Sequence, residues 1–449
     1  MIAKLRRHWF FLLLLIVISV FYLSGVVSVP FHPDESTFLF MSSELEKSLT
    51  DPFSLAWENE TSLTPSMRYR MIDAPLTRYL MGIGFLIAGI DAPKVDWDWG
   101  AAWGENKISG ALPGPNLLLV GRMVVASFFP LSLILIYLIG LKLDGRLLGL
   151  SILLIYSLNP LVLLHTRRVM AEGVLLFTIL LALYALFDGD RLPLLAGLAL
   201  SLAVNAKHSA SLMLPAGLLA VGWLSYPVER KLYRVIRNLI FFGFGFGLLA
   251  LVLNPFLWGN PIAAAQEAAH LRQDLLERQI TDFSHIAPSQ VLDSYGQRAA
   301  VILAQLYIAP PIFSETGNYN FFTAAAEESY LDSRGNNLGR NPIGSGLYIA
   351  FSLLGLVATF QTLITGQGST RRYAALLLFS FLGFCTGTLL LIPLAWQRYY
   401  LPLVPFVAIL TGIGFIWGIK TSRNLLGHGR LFTRLTQVLA QFAPDSWMP

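Results

Sequence analysis

The chain has little charge and almost no cysteine. Asp, Glu, Lys and Arg make up 13% of its 449 residues, whereas soluble domains contain roughly 25%. Its one cysteine, Cys385, excludes an internal disulfide and argues against a cysteine-based metal site. Together with a mean hydropathy of +0.60, the low charge indicates a polytopic membrane protein and argues against a soluble enzyme.

Several common functional motifs are also missing. We find no phosphate-binding loop and no internal repeat. The glycine-rich run 243–247 lies inside an apolar stretch without a strand–turn–helix context, so it predicts a helix-packing face. His32, His208, His270 and His285 do not have zinc-site spacing. Most of the basic residues behind the net charge of +5 lie in short loops, where they set the orientation of the chain in the membrane. The positive charge therefore does not predict a nucleic-acid partner.

Long apolar runs predict an all-α fold with about ten transmembrane helices. A run at 74–90 is short for a span and predicts a helix lying along the membrane interface. The predicted spans are 9–29, 118–141, 147–165, 169–187, 192–206, 209–226, 236–257, 344–364, 373–394 and 400–419.

The positive-inside rule predicts a cytoplasmic N-terminus. In that orientation, most Lys and Arg residues lie in the cytoplasmic loops and few lie in the short outer turns. Two large loops then face outward, and the second contains a predicted helix at 263–279. The predicted organisation is a cytoplasmic N-terminus with the first helix (1–29), a first outer loop with the interfacial helix (30–117), helices two to seven (118–257), a second outer loop (258–343), helices eight to ten (344–419) and a cytoplasmic amphipathic tail (420–449).

Ionisable residues collect at the predicted outer ends of the helices. Charged groups near hydrocarbon are costly, so they are functional candidates by default. Carboxylates and cations on one membrane face suit a base acting beside an anionic leaving group. The candidates are Asp34, Glu35, Asp73, Arg122, Arg167, Arg168, Glu172, Lys207, His208, Arg398 and Tyr399.

Several of these candidates also have a purely structural interpretation. Asp34 could cap the helix that follows it, and Asp73 could serve a turn before Pro75. Glu172 could pair with Arg168 at helical spacing. The basic residues could be anchors whose charged ends reach the membrane surface.

The order of these motifs resembles the C-type (GT-C) membrane glycosyltransferases, and in particular the family-39 group. That group includes the protein O-mannosyltransferases and the lipid A aminoarabinose transferase. The resemblance extends over about residues 9–420. The matching segments are Pro33-Asp34-Glu35, Ile72-Asp73-Ala74-Pro75-Leu76-Thr77-Arg78, Gly121-Arg122, Arg167-Arg168-Val169-Met170-Ala171-Glu172, Ala206-Lys207-His208 and Arg398-Tyr399-Tyr400-Leu401-Pro402. The segment around Asp73 lacks the His and one Pro of the family element.

The resemblance implies transfer of a sugar from a polyprenyl-phosphate carrier, with inversion at the anomeric carbon. On the residues themselves, Asp34 is the candidate general base. Glu35 could position Asp34, bind the acceptor or hold a cation. Arg398 and Lys207, followed by Arg167 and Arg168, are the candidates for binding the leaving phosphate.

The remaining candidates have supporting roles. Arg122 and Glu172 would orient the acidic pair, and Asp73, His208 and Tyr399 would complete the site. A divalent metal ion is an open possibility, with Asp34, Glu35 and Glu172 as candidate oxygen ligands.

The expected location is a multi-pass protein of the plasma or inner membrane, with the active site on its non-cytoplasmic face. The acceptor is left open between a protein, a lipid and a glycan. Three other functions compete. The first is a lipid or solute transporter or flippase, which would place charges near mid-membrane, and the second is a non-catalytic scaffold of the same fold. The third is another lipid-linked transfer, such as transfer of an oligosaccharide or of a non-sugar group.

Overall fold

The computed structural model describes residues 2–59, 63–222, 232–315, 317, 319–333 and 335–426. These residues are predominantly helical, which confirms the all-α prediction. Within them there is no strand, and one isolated antiparallel bridge joins Val291 to Leu394. Most of the amphipathic tail predicted for 420–449 lies outside the described residues.

Twenty α-helices follow one another along the described chain. They are α1 (Ile2–Ser24), α2 (Pro33–Met41), α3 (Glu44–Thr50), α4 (Pro65–Ile72), α5 (Leu76–Ala88), α6 (Trp103–Ser109), α7 (Pro115–Ala126), α8 (Phe128–Asp144), α9 (Arg146–Ser157), α10 (Pro160–His165), α11 (Ala171–Phe187), α12 (Pro193–Ala206), α13 (Leu214–Val221), α14 (Leu232–Leu253), α15 (Pro261–Ile286), α16 (Tyr295–Leu303), α17 (Asn320–Asp332), α18 (Pro342–Thr365), α19 (Gly368–Leu391) and α20 (Val404–Leu426).

Shorter helical turns link several of these helices. The 3-10 turns are Gly25–Ser28, Pro52–Leu55, His208–Met213, Pro255–Leu257, Pro288–Gln290 and Gln397–Leu403, and a π-helical turn covers Ala304–Ile308.

In the part of the chain that the structure describes, six helical segments are long and apolar enough to cross a membrane, so the chain has the helices of a multi-pass membrane protein. They coincide with six of the ten predicted spans. The segments are His8–Ser28, Pro115–Asp144, Leu232–Leu253, Pro342–Thr365, Gly368–Leu391 and Gln397–Ser422. The other four predicted spans correspond to apolar helices of 10–17 residues, so ten spans stays a prediction.

A central core forms where α8, α9, α11, α12, α19 and α20 pack together. Helix α11 is apolar on every side, which is typical of a fully surrounded helix. Most of its residues are buried, from Ala171 at the start to Phe187 at the end. The connection between α10 and α11 lies next to the acidic end of α2, because Val169 N donates to Glu35 at 2.9 Å.

Glycines allow the closest helix contacts. A Cβ at Gly355 of α18 would overlap the Leu410 carbonyl of α20, and a Cβ at Gly414 of α20 would overlap the Phe351 carbonyl. In the predicted packing run, a Cβ at Gly245 would lie 2.6 Å from the Leu194 carbonyl oxygen of α12. Positions 243 and 247 have open space, so the packing prediction is confirmed at Gly245.

The two predicted outer-loop regions are also largely helical. The first contains α2 to α6, and the run predicted as a short helix at 74–90 is α5. In the second, the helix predicted at 263–279 is present as the longer α15. Hydrogen bonds from Leu292 N to Pro393 O (2.7 Å) and from Ala395 N to Gln290 O (2.9 Å) join this region to the segment before α20.

Candidate active site

The first turn of α2 fixes the directions of the acidic pair. Pro33 occupies the first helical position, and His32 caps the helix because its Nδ1 accepts from Asp34 N at 3.1 Å. The Glu35 carboxylate completes the capping box by accepting from His32 N at 3.2 Å. His32, and not Asp34, therefore caps this helix, so the structural alternative for Asp34 does not hold and its carboxylate has another partner.

Glu35 is fully buried and serves as an anchor. Arg122 Nε and Nη2 donate to its two oxygens at 2.8 and 2.7 Å, and Val169 N donates at 2.9 Å. Burial alone would raise the pKa of Glu35, but Arg122 and these hydrogen bonds lower it. Both oxygens are therefore occupied, so this geometry fits the positioning role and not acceptor or metal binding.

Asp34 starts a chain of ion pairs that reaches the second outer-loop region. Its carboxylate pairs with Arg398, whose Nε lies 3.3 Å from Glu315 Oε1. The other oxygen of Glu315 lies 2.8 Å from His32 Nε2. Four side chains from three distant parts of the sequence thus form one polar group.

Glu315 is the main residue that the sequence prediction missed. It follows the apolar run 306–313 and has no recognisable motif around it. The fold brings Glu315 into contact with His32, which is 283 positions earlier in the sequence, and with Arg398, which is 83 positions later. An isolated carboxylate after an apolar run was the one available signal.

Lys207 joins this group through Tyr399. The Lys207 Nζ lies 5.4 Å from the centre of the Tyr399 ring, and Arg398 Cζ lies 5.7 Å from the same ring. Lys207 Nζ also lies 2.7 Å from Glu172 Oε1. The alternative in which Glu172 pairs with Arg168 does not hold, because α11 begins at Ala171 and no helix spans residues 168 to 172. Glu172 pairs with Lys207 instead.

The adjacent arginines Arg167 and Arg168 have different positions. Arg168 donates to Phe313 O at 2.6 Å and to Pro30 O at 3.2 Å, and it lies beside a cavity near Arg398. Arg167 donates to Tyr22 O at 2.9 Å and its guanidinium lies 4.9 Å from the Tyr22 ring. The structure therefore brings Arg168, and not Arg167, to the polar group.

Asp73 lies in a second set of charges next to Lys207. Burial raises the pKa of Asp73, although the nearby Arg272, Arg78 and Lys207 oppose that shift. Arg78 Nη2 donates to the Asp73 carbonyl at 3.0 Å. His208 directly follows Lys207 and is exposed. Arg78 and Arg272 are further charged neighbours that the site prediction did not include.

A cavity of about 140 Å³ adjoins this polar group. Arg168 and Arg398 line it, as do His32 and Glu315. Asp34 is in contact with the cavity wall through its ion pair with Arg398. An imidazole, a carboxylate and two guanidinium groups thus line a space that could hold a small ligand.

The proposed metal ligands do not form a metal site among the described residues. No group of three or more His, Cys, Asp or Glu side chains in that part of the chain is arranged to hold an ion. Asp34, Glu35 and Glu172 are each paired with a different cation, namely Arg398, Arg122 and Lys207. We therefore assign no step to a metal.

No protein-family model and no curated protein sequence matches the chain. Solved structures do match its fold. The oligosaccharyltransferase of Archaeoglobus fulgidus in its apo form aligns with a TM-score of 0.52 and 12% identity over 97% of this chain and 55% of that protein. Structures of the same protein with an inhibitory peptide and a dolichol-phosphate, and with zinc and sulfate, align with TM-scores of 0.51 and 0.50.

ArnT from Cupriavidus metallidurans, bound to undecaprenyl phosphate, aligns with a TM-score of 0.50 and 12% identity over 93% of this chain and 63% of that protein. The chain spans a little more than half the length of the Archaeoglobus fulgidus oligosaccharyltransferase. It has the fold of the GT-C membrane glycosyltransferases, which confirms the fold that the sequence resemblance implies.

Proposed function

We propose that this protein is a membrane glycosyltransferase that moves a sugar from a polyprenyl-phosphate donor to an acceptor hydroxyl on the outer face of the membrane. The observation that carries the proposal is the ion pair of Asp34 with Arg398 at the wall of a cavity, with Lys207 held nearby by Tyr399. This arrangement supports a base at Asp34 next to cations for a leaving phosphate.

Asp34 is the general base in this proposal. Its carboxylate takes the proton of the acceptor hydroxyl as that oxygen forms a bond to the anomeric carbon. The bond from the anomeric carbon to the phosphate oxygen breaks, and the electron pair leaves with the polyprenyl phosphate. Since the protein provides no covalent intermediate, a single displacement inverts the anomeric configuration.

Arg398 and Lys207 stabilise the leaving phosphate. Fixed cations act most strongly where negative charge develops, because they need no reorganisation during the reaction. Glu315 and Tyr399 hold Arg398 in place, and Glu172 holds Lys207. Glu35 and Arg122 fix the start of α2 and therefore the position of Asp34.

The comparisons support a lipid-linked donor. The two similar proteins were solved with a dolichol-phosphate and with undecaprenyl phosphate. A polyprenyl phosphate would reach the site from the bilayer, which is consistent with a multi-pass protein without a phosphate-binding loop in its sequence. The acceptor stays open between protein, lipid and glycan hydroxyl groups.

The test is sugar transfer by the purified protein in liposomes containing polyprenyl-phosphate monosaccharides. We expect Asp34→Asn to lower the rate by about 10²–10⁴-fold, because the amide cannot accept the proton. Asp282→Asn, at an exposed position of α15, is the matched control and should retain the wild-type rate. Full activity of Asp34→Asn would remove Asp34 from the mechanism.

The same liposomes test the competing functions. Movement of an unmodified polyprenyl phosphate between leaflets, without any transfer product, would favour a flippase. Binding of the lipid with neither movement nor transfer would favour a scaffold. The described charges form a compact group with one cavity beside it, which favours the enzyme.

A further inference from the structure

A second cavity, away from the candidate active site, combines two arginines with apolar side chains. Its volume is about 360 Å³, and ligand sites commonly measure about 300–1,000 Å³. Arg191 lines it from the connection between α11 and α12, and Arg237 lines it from the second turn of α14. The rest of its lining is apolar except for Asn238. We call it the arginine cavity.

Helices α11 and α12 separate the arginine cavity from the candidate active site. Helix α11 begins beside that site, where Glu172 pairs with Lys207, and ends shortly before Arg191. Its 17 residues span about 25 Å. Helix α12 starts at the cavity with Pro193 and runs back to Lys207. The arginine cavity is thus at the opposite end of both helices, on the face that the positive-inside pattern predicts to be cytoplasmic.

The carboxylates nearest to Arg191 in the sequence already have partners. Asp188 pairs with a lysine of α8, and Asp190 pairs with an arginine of α19. Neither Arg191 nor Arg237 forms an ion pair within the part of the chain that the structure describes. The cavity therefore carries two positive charges without a counter-charge from those residues, which favours an anionic ligand.

A buried asparagine fixes the position of Arg237. Asn238 Oδ1 accepts from Arg237 Nη2 at 3.0 Å and from its Nε at 3.3 Å. Asn238 Nδ2 donates to Asp190 O at 3.0 Å, which ties α14 to the turn that carries Arg191. Arg237 Nη1 has no hydrogen bond to any described residue. The guanidinium is therefore held in place with donors available for a ligand.

The apolar part of the lining is typical of the boundary between headgroups and hydrocarbon. Leu195 is 52% exposed and Phe241 is 46% exposed. Helix α14 is long and apolar enough to cross a membrane, and Arg237 lies close to its beginning. A phospholipid has an anionic phosphate for the arginines and apolar chains for Leu195 and Phe241. A soluble anion would use the arginines alone.

We propose that the arginine cavity binds an anionic phospholipid from the leaflet opposite the candidate active site. Arg191 and Arg237 donate charge-assisted hydrogen bonds to the phosphate oxygens, and Leu195 and Phe241 lie against the glycerol and the acyl chains. This site does not depend on the proposed function. Because the cavity exists only in the folded protein, the bound lipid also stabilises the fold.

The test measures lipid binding to the detergent-solubilised full chain by native mass spectrometry. Phosphatidylglycerol and phosphatidylcholine with identical acyl chains are titrated separately. The wild type should bind phosphatidylglycerol more tightly, and Arg191→Gln and Arg237→Gln should each weaken that binding by about tenfold. Arg371→Gln is the matched control, because it removes an exposed charge from the same predicted face outside the cavity lining. It should keep the wild-type affinity.

The apolar wall is tested separately. Phe241→Ala should weaken phosphatidylglycerol binding by about fivefold, because it removes apolar surface from the contact with the lipid. Phe244→Ala is its control, since Phe244 is exposed on the same helix and lies outside the cavity lining. Inorganic phosphate at the concentration of the lipid should not displace phosphatidylglycerol from the wild type.

Several outcomes would overturn the proposal. Equal affinity of the wild type for the two lipids, or unchanged affinity in both arginine variants, would remove the site. The same weakening by Arg371→Gln would show a general attraction to basic surface. Displacement by inorganic phosphate would replace the lipid with a soluble anion. Unfolding temperatures without added lipid check the folding of each variant, and Arg191→Gln decides the result if Arg237→Gln unfolds early through its lost contact with Asn238.

Discussion

Asp34 and Glu35 are neighbours in the sequence, but the capped first turn of α2 gives their carboxylates different partners. Glu35 is enclosed by Arg122, Val169 N and His32 N, and Asp34 faces Arg398 at the cavity. A buried carboxylate with four hydrogen bonds resists movement. Glu35 thus provides a fixed support for Asp34, the proposed base.

His32 connects this support to Glu315, and its charge state follows from its contacts. Its Nδ1 accepts from Asp34 N, so that nitrogen carries no proton. Burial lowers the pKa of His32 from 6.5, with Arg168 and Arg398 acting in the same direction and Glu315 opposing them. The imidazole is therefore neutral in the folded protein near neutral pH.

This lowered pKa predicts a loss of stability in acid. As the pH falls, the unfolded chain takes up a proton at His32 before the folded protein does. The contribution of His32 to the free energy of unfolding is therefore complete above about pH 6.5 and declines below that value. We expect His32→Asn, whose amide can still cap α2, to show a shallower decline. The measurement is the unfolding temperature in detergent from about pH 7.5 to 5; parallel curves for the two proteins would contradict the prediction.

At the scale of elements, sequence reasoning placed several candidate residues correctly at the ends of helices. Asp34, Lys207 and Arg398 each lie at the start or end of a helical element, and position alone identified them. It failed where folding decided the partner. Glu172 does not pair with Arg168 because residues 166–170 are not helical, and the contact of Glu315 with His32 joins residues 283 positions apart.

Helix pairs provide a test of the packing. The close approach of α18 to α20 at Gly355 leaves no room for a side chain, so Gly355→Leu should destabilise the protein by about 1–3 kcal/mol. Gly346 lies on the same helix with no atom within 4 Å of a Cβ. Gly346→Ala is therefore the control and should keep or slightly raise stability.

The measurement for this pair is thermal unfolding of both variants in the same detergent. If Gly355→Leu unfolds at the wild-type temperature, α18 and α20 are not packed as closely as the structure shows. Because Gly355 lies far along α18 from its first turn at Pro342, any effect on transfer should follow the loss of folded protein.

At the scale of the whole molecule, the site depends on two regions that the sequence predicts to lie on one membrane face. The pairs His32–Glu315 and Asp34–Arg398 bring the two predicted outer loops and the start of the last helix together. The hydrogen bonds between residues 290–292 and 393–395 support the same arrangement. These contacts require a common side for the three regions, which the positive-inside pattern predicts to be the outer one.

The single cysteine allows that face to be tested directly. In a Cys385→Ala background, we expect Ser43→Cys in the first outer-loop region and Ser284→Cys on α15 to react with a membrane-impermeant maleimide in intact cells. Both positions are exposed. Thr370→Cys, exposed at the start of α19 on the predicted cytoplasmic side, should react after permeabilisation. Labelling of Thr370→Cys in intact cells, with protection of the other two, would place the proposed active site on the cytoplasmic face and contradict transfer at the outer surface.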